Sequence, residues 1–188
     1  MIESGGAALQ PYLLPGERIA WTGRPGQGVR LRAADAFLIP FSLLWGGFAI
    51  FWEATAIGFA FRAGEGITSF MALWGIPFVM VGLYLIFGRF FVDAHVRART
   101  FYAVTDRRVL VLRRVFGERL LSRPLGGEVR IAQRRGGSGT LEFGSRNPLR
   151  AFNGWSMWAP GLAGEVAFED VPDVMTVYAL AAPGRAAA

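Results

Sequence analysis

Two long uncharged runs divide the chain. Residues 36–52 (AFLIPFSLLWGGFAIFW) hold no charge over seventeen positions, and residues 67–87 (ITSFMALWGIPFVMVGLYLIF) hold none over twenty-one. A spanning helix needs about 20 predominantly apolar residues, with a lower limit of about 17. The pattern therefore predicts two transmembrane helices, about 36–53 and 67–88, joined as a hairpin over 36–90. Pro40 and Gly46–Gly47 would break a soluble helix but are tolerated in lipid. Glu53 is read as the outer end of the first span, at the membrane interface. Small residues in both spans allow close helix packing.

Outside the hairpin the period changes. Ile19 and Trp21 alternate with Arg18, Ala20 and Thr22, which predicts a short strand over about 17–22, within an N-terminal segment of residues 1–35. After residue 98 come short β-rich segments at 100–105, 108–114, 118–123, 128–134, 139–145 and 165–169. Gly117, Gly126–Gly127, Gly136–Gly137 and Asn147–Pro148 punctuate them. Residues 151–164 read equally as a bent strand or a loop. Val174, Val177, Tyr178 and Ala181 fall on one face of a terminal helix, with Pro172 at its first position and Asp170 as its cap. Strands followed by one amphipathic helix suggest a small β domain, about 98–182, closed at one end by that helix. Residues 183–188 read as a disordered tail.

Composition sharpens this. The chain is 53% hydrophobic and only 18% charged, too apolar for a soluble domain throughout. It has no cysteine, no lysine and one histidine, His95. That excludes disulfides, thiolate chemistry, a lysine phosphate loop, Schiff bases and multi-histidine metal sites. No catalytic constellation is visible. Ser122, Ser138, Ser145 and Ser156 share a single histidine, and Glu165, Glu169, Asp170 and Asp173 cluster where a helix begins. Gly136–Gly139 precedes a strand rather than a helix, so it is a turn and not a dinucleotide fingerprint. No catalytic residue, cofactor or metal is expected.

Charge is uneven. Residues 97–135 hold eleven arginines against Asp106, Glu118 and Glu128, while residues 1–96 balance at six arginines and six acids. The arginines flank the hairpin on its outer sides, and its connector has Arg62 alone. The positive-inside rule then puts both termini in the cytoplasm. Arg97, Arg99, Arg107, Arg108, Arg113 and Arg114 are the candidate lipid or partner surface, since juxtamembrane arginines attract anionic lipid. Glu53, Trp155 and Trp158 are the candidate interfacial residues. Trp155, Met157 and Trp158 form an apolar cluster that either dips into the headgroup layer or packs beneath the β domain. Nucleic acid is not expected as a partner, because Phe116 is the one aromatic between 103 and 135.

Several stretches resemble one family. Tyr102-Ala-Val-Thr105-Asp-Arg107-Arg108-Val-Leu is similar to a hairpin of bacterial pleckstrin-homology-like (PH-like) membrane proteins. Leu14-Pro-Gly-Glu17-Arg-Ile-Ala-Trp21 resembles the segment that opens them. Gly137-Ser-Gly139-Thr-Leu-Glu-Phe resembles a glycine-led inner strand, and Phe168-Glu-Asp-Val171-Pro-Asp-Val174 the start of a closing helix. The resemblance implies two transmembrane helices attached to a seven-stranded bent barrel capped by a C-terminal helix, with the N-terminal strand joining the barrel. It implies a multi-pass protein of the bacterial inner membrane that binds or scaffolds without chemistry. Its partner would be a membrane protein, another copy of itself or the anionic lipid surface. The alternative is a subunit of a membrane enzyme or transporter complex.

Overall fold

The structure, a computed structural model, describes residues 3–31, 34–63, 66–115, 117–134, 136–144 and 166–182. They divide into two compact units, Met1–Gly28 with Asp93–Ala188, and Val29–Val92. The ambiguous stretch 151–164, with Trp155, Met157 and Trp158, and the tail 183–188 lie outside the described residues.

The second unit is a helical hairpin. Helix α2 runs Asp35–Ala63 and α3 runs Ile67–Leu83; a π-helical turn, Tyr84–Gly88, leads into α4, Arg89–Ala98. Two helical stretches among the described residues are long and apolar enough to cross a membrane: Asp35–Arg62 within α2, and Phe70–Ala98, which runs from α3 through the π-helical turn into α4. Phe61, Leu44 and Phe51 point outward, at 87%, 75% and 69% exposure, unlike side chains of a soluble core helix. The buried seam of α2 is Leu38, Ser42, Ala49, Glu53 and Ala56, at helical spacing. Close approach is set by glycine. A Cβ on Gly82 would sit 2.8 Å from the Gly46 Cα, so the two backbones meet there. Asp35 and Arg89 close one end of the seam with a buried ion pair at 2.8 Å. Ser42 and Thr55 hydroxyls donate to the Ile39 and Phe51 carbonyls of their own helix, which suits a medium without water.

One expectation is corrected here. Glu53 does not lie at a helix end, because α2 continues to Ala63. The uncharged run ended at Glu53, but one carboxyl facing a glycine does not interrupt a helix whose backbone hydrogen bonds are intact.

The first unit holds two antiparallel sheets. Strands β1 (Ile19–Gly23), β2 (Thr100–Thr105), β3 (Arg108–Arg114) and β4 (Glu118–Pro124) form one in that order. Strands β5 (Val129–Gln133), β6 (Gly139–Phe143) and β7 (Ala167–Val171) form the other. The N-terminal strand thus pairs with β2, Trp21 opposite Val104 and Gly23 opposite Tyr102. The helical hairpin is an insertion between two neighbouring strands of one sheet.

Both faces of the first sheet are buried, which is why VLVL at 109–112 reads as a continuous apolar run. Val109, Val111, Tyr102 and Val104 face the second sheet and helix α5 (Val174–Ala181), with Leu141, Phe168, Val171, Val174 and Val177 opposite. Phe168 centres this core, with the Tyr102 ring at 4.6 Å and the Phe143 ring edge-on at 5.0 Å. The opposite parity, Ala103, Leu110 and Leu112, is covered by Leu9 from an N-terminal helix α1, Glu3–Leu9. A Cβ on Gly139 would lie 2.9 Å from both the Ala132 carbonyl oxygen and Val174, so glycine lets α5 seat on β6.

Two boundaries move. β7 begins two residues later than expected and takes in Asp170 and Val171, since Val171 is needed in the core. α5 starts at Val174, so Pro172 lies in the turn before it, and the cap position is Asp173, not Asp170. Both aspartates adopt positive φ, 50° and 51°, a conformation Asp tolerates better than most. Neither side chain caps the helix; the Val174 N–H donates instead to the Gly137 carbonyl at 3.1 Å.

Candidate functional site

The β2–β3 turn and the segment before β1 form one network. Glu17 is buried with its side chain wholly shielded, and the Arg108 Nε donates to its Oε1 at 2.9 Å. Arg108 Nη2 donates to Glu17 Oε2 at 3.0 Å and to the Tyr12 carbonyl at 2.8 Å. The Thr105 hydroxyl donates to Glu17 Oε1 at 2.7 Å and accepts from the Arg107 and Arg108 N–H groups. The Leu14 N–H donates to Glu17 Oε2 at 2.7 Å. Asp106 and Arg18 exchange bonds: Arg18 N–H donates to Asp106 Oδ1, and Asp106 N–H donates to the Arg18 carbonyl, each at 3.1 Å. The Arg108 guanidinium holds the Glu17 carboxyl down at about 2; burial opposes this, and the Leu14 and Thr105 donors reinforce it. Every hydrogen-bonding capacity of Thr105 and Glu17 is directed inward, so this network is a staple and not a ligand site. Nearby, Tyr12 donates its hydroxyl to Glu118, which lowers the Glu118 carboxyl and raises the Tyr12 phenol.

Arg97 is a second internal residue. It pairs with Asp93 at 2.5 Å and donates to the Gly26 and Gly28 carbonyls at 3.4 and 2.8 Å. Gln27 Nε2 returns a bond to the Arg97 carbonyl at 3.3 Å. Arg97 therefore ties together the two chain passes through which this unit connects to residues 29–92.

The remaining candidates fall at opposite ends of the first sheet. Arg99, Arg113 and Arg114 lie where β2 begins and β3 ends, and the Arg114 N–H donates to the Arg99 carbonyl at 3.0 Å. Arg119, a residue that run-length reasoning missed, is directly opposite Arg113 across β3 and β4. Like charges so placed repel each other. Arg24 lies over the Phe101 ring at 4.3 Å. Arg99 and Arg119 are exposed, Arg99 touching His95 at 2.6 Å. Arg114 pairs with Glu118 at 2.6 Å, and Arg113 is half-buried with an interaction of its own. Arg107 is exposed, but it lies at the β2–β3 turn, a strand length of about 17 Å away. The six arginines therefore do not make one surface.

No protein-family model, curated protein or solved structure matches this chain.

Among the described residues, no three of His, Asp and Glu converge as a metal site. A recess of about 330 Å³ at the β4–β5 connection is lined by Arg123, Leu125, Glu128 and Phe143, with Glu128 engaged by Arg130 at 2.8 Å. It offers one cation and no paired nucleophile and base. Glu53 lies in the hairpin, 8% exposed, its carboxyl occupying the space that a Gly75 side chain would fill.

Proposed function

We propose that this chain is a membrane-anchored, non-catalytic binding or scaffold module: a two-span hairpin carrying a PH-like β domain on the cytoplasmic side of a bacterial inner membrane. The observation that carries the reading is the insertion of the hairpin between β1 and β2. Both of its connections leave one end of the first sheet, and that end bears Arg24, Arg99, Arg113, Arg114 and Arg119. A domain tethered twice at a basic rim is suited to an acidic surface, and arginines close to an anionic leaflet contribute about 1 kcal/mol each. Arginine adds flat, forked contacts to phosphate or carboxylate.

The test uses the full chain in lipid nanodiscs, comparing hydrogen exchange over 113–120 in neutral and in anionic bilayers. Protection should rise with anionic lipid and fall back when Arg99 and Arg119 are both changed to Gln. A photo-crosslinker at Arg119, in native membranes, tests a protein partner at the same rim. Lipid-independent exchange together with no adduct at Arg119 would overturn the reading. The second reading, a subunit of a membrane enzyme or transporter, is favoured by the burial of Glu53 in the helix seam. It requires a turnover or flux that Glu53→Gln abolishes.

A further inference from the structure

The seam between α2 and α3 carries one ionisable group away from its ends, Glu53. Its neighbours along α2 are Ala49 and Ala56, and α3 meets it with Gly75, whose missing side chain makes the niche. Oε2 is buried and has no hydrogen-bond partner among the described residues. The hydroxyl of Thr55, two positions on, is spent on the Phe51 carbonyl of its own helix. From 36 to 88 the chain has one basic residue, Arg62, nine positions on and about 13 Å along the helix. Arg89, at the far end, is held by Asp35. Trp52, Thr55, Ala56, Phe59 and Met71 line an apolar recess of about 260 Å³; Ala56 belongs to both the recess and the seam, and the Glu53 carboxyl lies in the seam and not on the recess wall.

A buried carboxyl oxygen without a donor is costly in hydrocarbon, and intramembrane polar groups are commonly satisfied across helices. We propose that Glu53 is the acceptor for a basic side chain on a transmembrane helix of a different protein, docked over the recess between Trp52, Phe59 and Met71. Charge decides the occupant. A second copy of this chain brings no basic residue at that depth. The inference rests on the binding role proposed above and names the partner chemistry of the hairpin.

The experiment places a photo-crosslinking residue at Phe59 or Met71 of the full chain in native membranes, with a separate crosslinker at Arg119 reporting on the β domain. Adducts at Phe59 and Met71 should map to a transmembrane helix containing Arg or Lys within its span. Glu53→Gln should reduce their yield about three- to thirtyfold, and Glu53→Arg combined with a carboxylate in place of the partner's basic residue should restore it. Adducts to lipid or to this chain alone, an adduct helix with no basic residue, or a yield unmoved by Glu53→Gln would each overturn the proposal. If Glu53→Gln does not accumulate, the wild-type adduct map decides by itself. Loss of hairpin adducts with Arg119 adducts retained sinks this inference and spares the binding role; loss of both, with exchange over 113–120 independent of lipid charge, sinks the two together.

Discussion

Glu17→Gln is the most informative single substitution. Glu17 has a carboxyl held at about 2 against an ordinary 4.5. That difference corresponds to about 3 kcal/mol of folded-state stability as an upper bound. The Arg108 side chain keeps 18% of its surface in water, which screens the pair and brings the figure to about 2–3 kcal/mol. Gln keeps one acceptor oxygen, for either the Leu14 N–H or the Thr105 hydroxyl, puts an NH2 donor where the other oxygen stood and loses the charge, so the expected cost is about 2 kcal/mol, roughly thirtyfold in local opening. Hydrogen exchange of the Val104 and Leu110 amides, measured on the full chain in nanodiscs near neutral pH, reads this directly. The pH dependence has a definite sign. Because the folded carboxyl is depressed, its contribution is complete above about 4.5 and is lost as pH falls towards about 2. The gap between wild type and Glu17→Gln should close across that window. Arg108→Met strands a buried carboxylate and should cost about 3–5 kcal/mol, more than the double change Glu17→Leu with Arg108→Met. Equal exchange in wild type and Glu17→Gln, or a gap that persists at the acid end, would refute the staple.

Other outcomes follow from the same geometry. Gly139→Ala pushes a methyl against the Ala132 carbonyl and Val174, and should cost about 1–3 kcal/mol in thermal unfolding of the β signal. Arg97→Met releases the Gly26 and Gly28 carbonyls, so exchange and proteolysis at 24–28 should rise while the β2–β3 amides stay protected. Single cysteines at Ala60 and Ala98 test orientation in this cysteine-free chain; an impermeant reagent added outside should label the first and spare the second. Labelling of Ala98 from outside would reverse the proposed topology.

Much of the architecture was legible because its signals are local. The uncharged runs, the alternation in 100–114 and the apolar face of 174–181 each sit within one element. What escaped depends on contacts between distant residues. Glu3–Leu9 contains two glycines and has little helical propensity of its own; Leu9 is helical because Ala103, Leu110 and Leu112 need a cover. The segments around Glu17 and Thr105 each resembled a known pattern, but their meeting, 88 residues apart, is invisible to periodicity. Arginine counting grouped residues by sequence, whereas strand register separates Arg107 from Arg113 and adds Arg119. Glu53 was read at a helix end because charge was taken to stop the span, when the small partner Gly75 is what admits it.

The pairing of β1 with β2 also constrains biosynthesis. Strand β1 ends at Gly23 and its partner starts at Thr100, with both spans made in between. The first sheet therefore cannot assemble until residues 24–99 have been made, and Glu17 must wait for Arg108. It also sets a parity rule. In the proposed two-span topology, only an even number of crossings between those strands returns β2 to the side where β1 is waiting. A chain that inserts one span and not the other leaves the two strands on opposite faces of the bilayer, with α1 uncovered and the core unmade. In that topology the first sheet can form only when both spans are in place, so completion of the β domain would report correct insertion.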